Sequence, residues 1–112
     1  MHWIHFTDED QLQKIIVRSQ EKPQVIFKYN SNCSLSEITF HRLQKDCCPD
    51  HMDFYFLDLK DHPEISEKVA EAFQIPHQSP QVLLINDGQC IFHKGHSEIS
   101  LTEIVEHLPV IA

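Results

Sequence analysis

The chain has 112 residues, two-fifths of them apolar, which is enough for one domain with a modest core and too little for two. Seventeen acidic residues against nine basic ones leave a formal net charge of −8, which argues against nonspecific binding to nucleic acid or to an anionic membrane surface. No run approaches the roughly 20 apolar residues of a membrane span, and Met1-His-Trp-Ile-His-Phe6 has neither the basic start nor the long apolar stretch of a secretory signal, so a cytoplasmic protein is the expectation.

In chain order, the first predicted element is a helix. Thr7 is its expected N-cap, Asp8, Glu9 and Asp10 lie in its first turn, and Leu12, Ile15 and Ile16 repeat at helical spacing until Lys22-Pro23 ends it. Residues 24–29, with Val25, Ile26, Phe27 and Tyr29, read as a buried strand. After the polar bend Asn30-Ser-Asn32, helix-period apolar residues (Leu35, Ile38, Leu43, with Phe40 alongside) predict a helix running to about residue 46. The pair Cys47-Cys48 precedes Pro49, where the chain must turn. A second apolar strand over 53–59 leads through Lys60-Asp-His-Pro63 into a helical pattern containing Ile65, Val69, Ala70, Ala72 and Phe73. The bend Ile75-Pro-His-Gln-Ser-Pro80 follows. Beyond it, Val82-Leu-Leu-Ile85 and Cys90-Ile-Phe-His93 flank Asn86-Asp-Gly-Gln89, a strong hairpin signal. A last amphipathic helix, capped by Ser100 or Thr102, carries Leu101, Ile104, Val105 and Leu108 on one face. The order α-β-α-β-α-β-β-α predicts an α/β domain with a mixed, four-stranded central sheet covered by helices on both faces.

Cys33 falls at the junction of strand and helix. A thiol at the first turn of a helix meets unpaired backbone N–H groups and the positive end of the helix dipole, and both favour the thiolate over the thiol. The alternative, a small buried apolar side chain, fits poorly with the polar approach Asn-Ser-Asn. One helical turn on, where a second thiol would resolve a mixed disulfide, stands Ser36, whose hydroxyl forms no disulfide. Cys47 is on the order of 20 Å away along the predicted helix, against a limit near 7 Å between bridged Cα atoms. Cys90 is expected at the far end of its strand from Pro80, as a core or edge residue. A one-thiol mechanism remains. Four cysteines in a chain with no export signal are expected to be reduced. Cys47 and Cys48 with His41 and His51 match none of the usual zinc-ligand gaps, so no metal is expected, and the scattered histidines read as surface residues. Lys28, inside an apolar strand, has two readings: a side chain that snorkels to the surface, or a positive charge near Cys33. His96 is read either as a solvated loop residue or as one lining the thiol site.

Three segments carry a family resemblance that covers nearly the whole chain. Phe27-Lys28-Tyr29-Asn30-Ser31-Asn32-Cys33-Ser34-Leu35-Ser36, His77-Gln78-Ser79-Pro80-Gln81 and Gly95-His96-Ser97-Glu98-Ile99-Ser100 resemble the monothiol bacilliredoxins of bacillithiol-using bacteria, within the thioredoxin-like superfamily. The chain departs from that family's usual loop in having Ser34 where a proline commonly follows the cysteine. The resemblance implies a thioredoxin-like fold with an extra N-terminal helix and a cis Pro80 facing the active cysteine. It implies a thiol–disulfide oxidoreductase that removes bacillithiol, or a similar low-molecular-weight thiol, from mixed disulfides on S-thiolated client proteins. Cys33 would be the nucleophile, and Lys28, Ser34, Ser36, Ser79, Pro80 and His96 would line the substrate site. Bacillithiol would serve as co-substrate, with no other cofactor. Two other readings stay open: a non-catalytic thioredoxin-like module that only docks partners, and a one-thiol glutaredoxin carrying an iron–sulfur cluster. The second lacks support from a Cys-Gly-Phe-Ser motif or the glycine pair that holds glutathione.

Overall fold

The computed structural model describes residues 1–109. Its elements are β1 (Trp3–His5), α1 (Asp10–Arg18), β2 (Gln24–Tyr29), α2 (Ser34–Gln44), β3 (Asp53–Asp58), α3 (Pro63–Phe73), β4 (Gln81–Asn86), β5 (Gln89–Gly95), a 3₁₀ turn (His96–Glu98) and α4 (Leu101–Glu106). The sheet has five strands in the order β1-β3-β2-β4-β5. Strands β1 and β2 both run parallel to β3, while β4 is antiparallel to β2 and to β5. Among the described residues no helix is long and apolar enough to cross a membrane.

The fifth strand is the difference from the sequence reading. Three residues are too few to show a period, and β1 is held by contacts distant in sequence. The Trp3 ring lies 5.7 Å from Phe27 and 5.9 Å from Phe40, and its indole N–H donates to Gln44 on α2. The first helix also starts later than expected. Gln11 folds its side-chain carbonyl back onto the N–H groups of Thr7 and Asp8, and Asp8 accepts from the Asp10 N–H at 2.8 Å, so these residues form a turn ahead of the helix. The hairpin between β4 and β5 turns through Asp87 and Gly88, with φ of 53° and 77°, the pair of positive values that a two-residue turn of this kind requires.

Alternation along the strands separates two cores. Val25, Phe27 and Tyr29 of β2, with Val82 and Leu84 of β4, pack under Leu43 of α2 and Ile104 of α4. Ile26 of β2, with Leu83 and Ile85 of β4, packs on the other face under Ile15 of α1 and Ile65 and Val69 of α3. The helices thus cover both faces of the sheet, and the loops at the carboxyl ends of β2 and β3 meet the segment that leads into β4.

Candidate active site

β2 is buried along its whole length and delivers Asn30 to that end of the sheet. The Asn30 carbonyl accepts the Cys33 N–H at 3.0 Å and its side-chain oxygen accepts the Asn32 N–H at 3.0 Å, which shapes the bend. Cys33 is therefore the N-cap residue of α2, extended at φ −117° and ψ 117°, and its carbonyl accepts the Ser36 N–H at 3.1 Å. Tyr29 donates its hydroxyl to the Glu37 carboxylate, which ties the first turn of α2 to β2 and pushes the phenol up to about 12.

The Cys33 thiol is held below its ordinary pKa. The largest cause is the backbone N–H of Ser36, with smaller help from the Leu35 N–H and the Ser36 hydroxyl, while burial opposes them. Ser36 is fully buried, and its hydroxyl has no hydrogen-bond partner among the described residues while lying close enough to Cys33 to favour the thiolate. Cys33 is itself half-exposed, so the sulfur remains open to attack a substrate.

Across from it lies the loop of residues 75–80. The Ser79 carbonyl stands 4.0 Å from Cys33 Sγ, the Ser79–Pro80 peptide bond is cis, and Pro80 is buried. The Ser79 hydroxyl is buried without a partner. His96 donates its backbone N–H to the Pro80 carbonyl at 3.0 Å, with its own backbone in the left-handed region at φ 66° and its ring in solvent. Ser34, exposed, opens α2 beside the sulfur. Cys33, Ser34, Ser36, Ser79, Pro80 and the His96 backbone therefore share one end of the molecule.

Lys28 makes its contacts elsewhere, and it does not snorkel. It is completely buried rather than snorkelling, and its ammonium turns to the α3 side, 3.3 Å from the Ser66 carbonyl and 3.4 Å from His77 Nδ1. Strand alternation explains this, because Lys28 follows Ile26 onto the face opposite α2.

All four cysteines are free. Cys90 pairs with Ile85, four positions along β4 from the Gln81 rung, and its Sγ lies 3.3 Å from the Phe92 carbonyl. Burial pushes its thiol up. Cys47 is exposed, while Cys48 is half-buried against the core beneath α2. Among the described residues no group of three His, Cys, Asp or Glu side chains is placed to hold a metal ion.

The family model for monothiol bacilliredoxin BrxC matches residues 4–104. The chain belongs to the monothiol bacilliredoxin family. Family and fold together support a thiol redox function. Solved structures bear out the fold: a candidate oxidoreductase with a thioredoxin fold superposes with a TM-score of 0.81 at 21% identity, covering 94% of this chain and 92% of that one. Thioredoxin from Malassezia sympodialis (Mala s 13) gives 0.73 at 18% identity over 96% and 90% of the two chains. Thioredoxin from Fasciola hepatica gives 0.69 at 15% identity over 91% and 92%.

Within this bacilliredoxin, sequence reasoning missed the residues beneath the Pro80 loop. Gln81 Nε2 donates to the Pro76 carbonyl at 3.1 Å, and the Ser66 hydroxyl lies 3.2 Å from His77 Nδ1. Gly95 lets the Gln78 side chain lie against it, since a Cβ there would fall 2.1 Å from Gln78 Oε1. The available signal was a lysine and a glutamine inside apolar strands, because buried polar groups need partners.

Proposed function

We propose that this bacilliredoxin removes bacillithiol from mixed disulfides on client proteins by a one-thiol exchange. The observation that carries the reading is the single thiol with depressed pKa at the start of α2, facing the Ser79–Pro80 edge, with a serine at the resolving position. The Cys33 thiolate attacks the bacillithiol sulfur of the mixed disulfide. A bond forms between Cys33 Sγ and that sulfur, the bond to the client sulfur breaks, and the client leaves as a thiolate that takes a proton from water. A second bacillithiol thiolate then attacks the bacillithiol sulfur on Cys33, releasing bacillithiol disulfide and restoring the Cys33 thiolate. No electrons remain unaccounted for, and no cofactor other than this co-substrate enters.

The site residues divide the work. The N–H groups of Leu35 and Ser36 and the Ser36 hydroxyl stabilise sulfur as an anion, both as attacking and as leaving group. Ser34, Ser79, Pro80 and His96 line the edge along which the mixed disulfide lies. Lys28 acts on this edge only through the loop that carries it.

The test follows the transferred group. A client protein carrying one bacillithiol is mixed with an equal amount of this protein without free thiol, quenched with acid, and both masses are read. Loss of bacillithiol from the client with gain of the same mass on Cys33 is expected. A covalent complex of client and Cys33, or two unchanged masses, would contradict the proposed attack.

A further inference from the structure

Lys28 and Gln81 face each other across the ladder between β2 and β4, and both are fully buried. The preceding rung on the same face, Ile26 and Leu83, belongs to the apolar core under α1 and α3. Polar side chains in such a position are costly to bury unless they find hydrogen bonds. Both find them in one place. Lys28 Nζ reaches His77 Nδ1 at 3.4 Å and the Ser66 carbonyl at 3.3 Å. Gln81 donates from Nε2 to the Pro76 carbonyl at 3.1 Å, and its Oε1 accepts the Gln78 N–H at 3.4 Å. Three successive residues, Pro76, His77 and Gln78, are thus held from beneath by two strand side chains, and the next two are Ser79 and Pro80.

We propose that Lys28 and Gln81 form a buried polar pedestal that sets the position of the Pro80 loop against Cys33, so that both are positioning residues for the thiol exchange. The proposal rests on the function given above for its catalytic consequence, though not for its structural one. A lysine ammonium can only donate, so His77 Nδ1 is the acceptor and the ring proton lies on Nε2. The lowered basicity of His77, caused by burial and then by the Lys28 charge, agrees with a neutral ring. From above, the same loop is fastened by the His96 N–H on the Pro80 carbonyl, and the exposed Gln78 side chain rests on Gly95. Removing the pedestal leaves the loop to those upper contacts and to the Ser66 hydroxyl, 3.2 Å from His77 Nδ1.

Stability by itself gives little reason for a lysine here, because burying a charge is costly and an apolar side chain of similar length packs as well. Lys28→Met is therefore expected to fold. Toward a bacillithiolated client its kcat/KM should fall on the order of tenfold or more, mainly through KM, since small displacements of a positioning element cost up to about a hundredfold. Cys33 alkylation by iodoacetamide should keep its rate and pH midpoint, because α2 sets the thiolate. Gln81→Leu should behave alike. His77→Asn, which keeps an acceptor near the place of Nδ1, should retain more activity than His77→Leu. Unchanged kcat/KM in Lys28→Met, or a parallel change in alkylation, would overturn the pedestal. The amide exchange of His96 reports the loop without turnover. Faster exchange in Lys28→Met supports the pedestal, and unchanged exchange overturns it, even if an inactive wild-type protein refutes the function.

Discussion

Cys33 and Cys90 are both half-buried thiols in one small domain, yet their surroundings push them in opposite directions. Cys33 stands where a helix begins, and the N–H groups of Ser36 and Leu35 favour its anion. Cys90 stands on β5 beside the core under α1 and α3, where loss of water outweighs its backbone contacts. Burial opposes ionisation at both; what differs is the strength of the donors that answer it. Exposure alone therefore does not mark the reactive thiol, whereas a free helix terminus does.

The comparison breaks most sharply by mutation of each thiol in turn. Cys33→Ser should reduce removal of bacillithiol from a client to the uncatalysed rate. Cys90→Ser should leave it nearly unchanged, with a stability loss of about 1 kcal/mol, as for other modest core changes. A fully active Cys33→Ser protein would end the assignment of the nucleophile. The next largest effect should come from placing a second thiol in the Cys33 environment. Ser36→Cys puts a thiol one residue-turn on, at an effective concentration on the order of millimolar or more, so the bacillithiol adduct should collapse to an internal disulfide. Turnover by the one-thiol route should drop about tenfold where the competing small thiol is tenfold more dilute than that. A stable bacillithiol adduct on this variant, seen by mass, would mean that residues 33 and 36 do not share the turn described.

The smallest effect extends the comparison to a basic group. Burial lowers Lys28 from an ordinary 10.5 to about 8. Between these values the unfolded chain holds a proton that the folded chain has lost, so the unfolded state binds more protons and stability rises with pH. Below about 8 both states are charged and the full cost of burial is present. The wild-type protein should thus gain stability relative to Lys28→Met as pH rises through this window, at up to about 1.4 kcal/mol per pH unit. Parallel stability profiles from chemical denaturation would show that the ammonium is not buried at a cost.

Much of the fold was legible because it rests on local patterns. The change from strand period to helix period placed Cys33 at a helix start, and the Asn-Asp-Gly run placed the hairpin. Ser36 at the resolving position could be read from spacing alone. What was not legible depends on contacts between distant segments. β1 exists because Trp3 packs on Phe27 and Phe40, which no window of three residues reveals. Lys28 was singled out correctly as unusual, but its direction depends on which face Ile26 takes and on Ser66 and His77 being there to receive it. Gln81 looked like part of a motif and turned out to carry the Pro76 carbonyl. His96 was read as ring or solvent, while its contribution to the site comes through its backbone N–H.

The central claim, that the start of α2 makes Cys33 the reactive thiol, is tested most directly by alkylating the folded protein across a pH series and mapping the rate at each cysteine, with the urea-unfolded chain as reference. Cys33 should label fastest near neutral pH, with a midpoint below its value in urea, while Cys90 should have a midpoint above its own. A Cys33 midpoint equal to or above that of the unfolded chain would contradict the account.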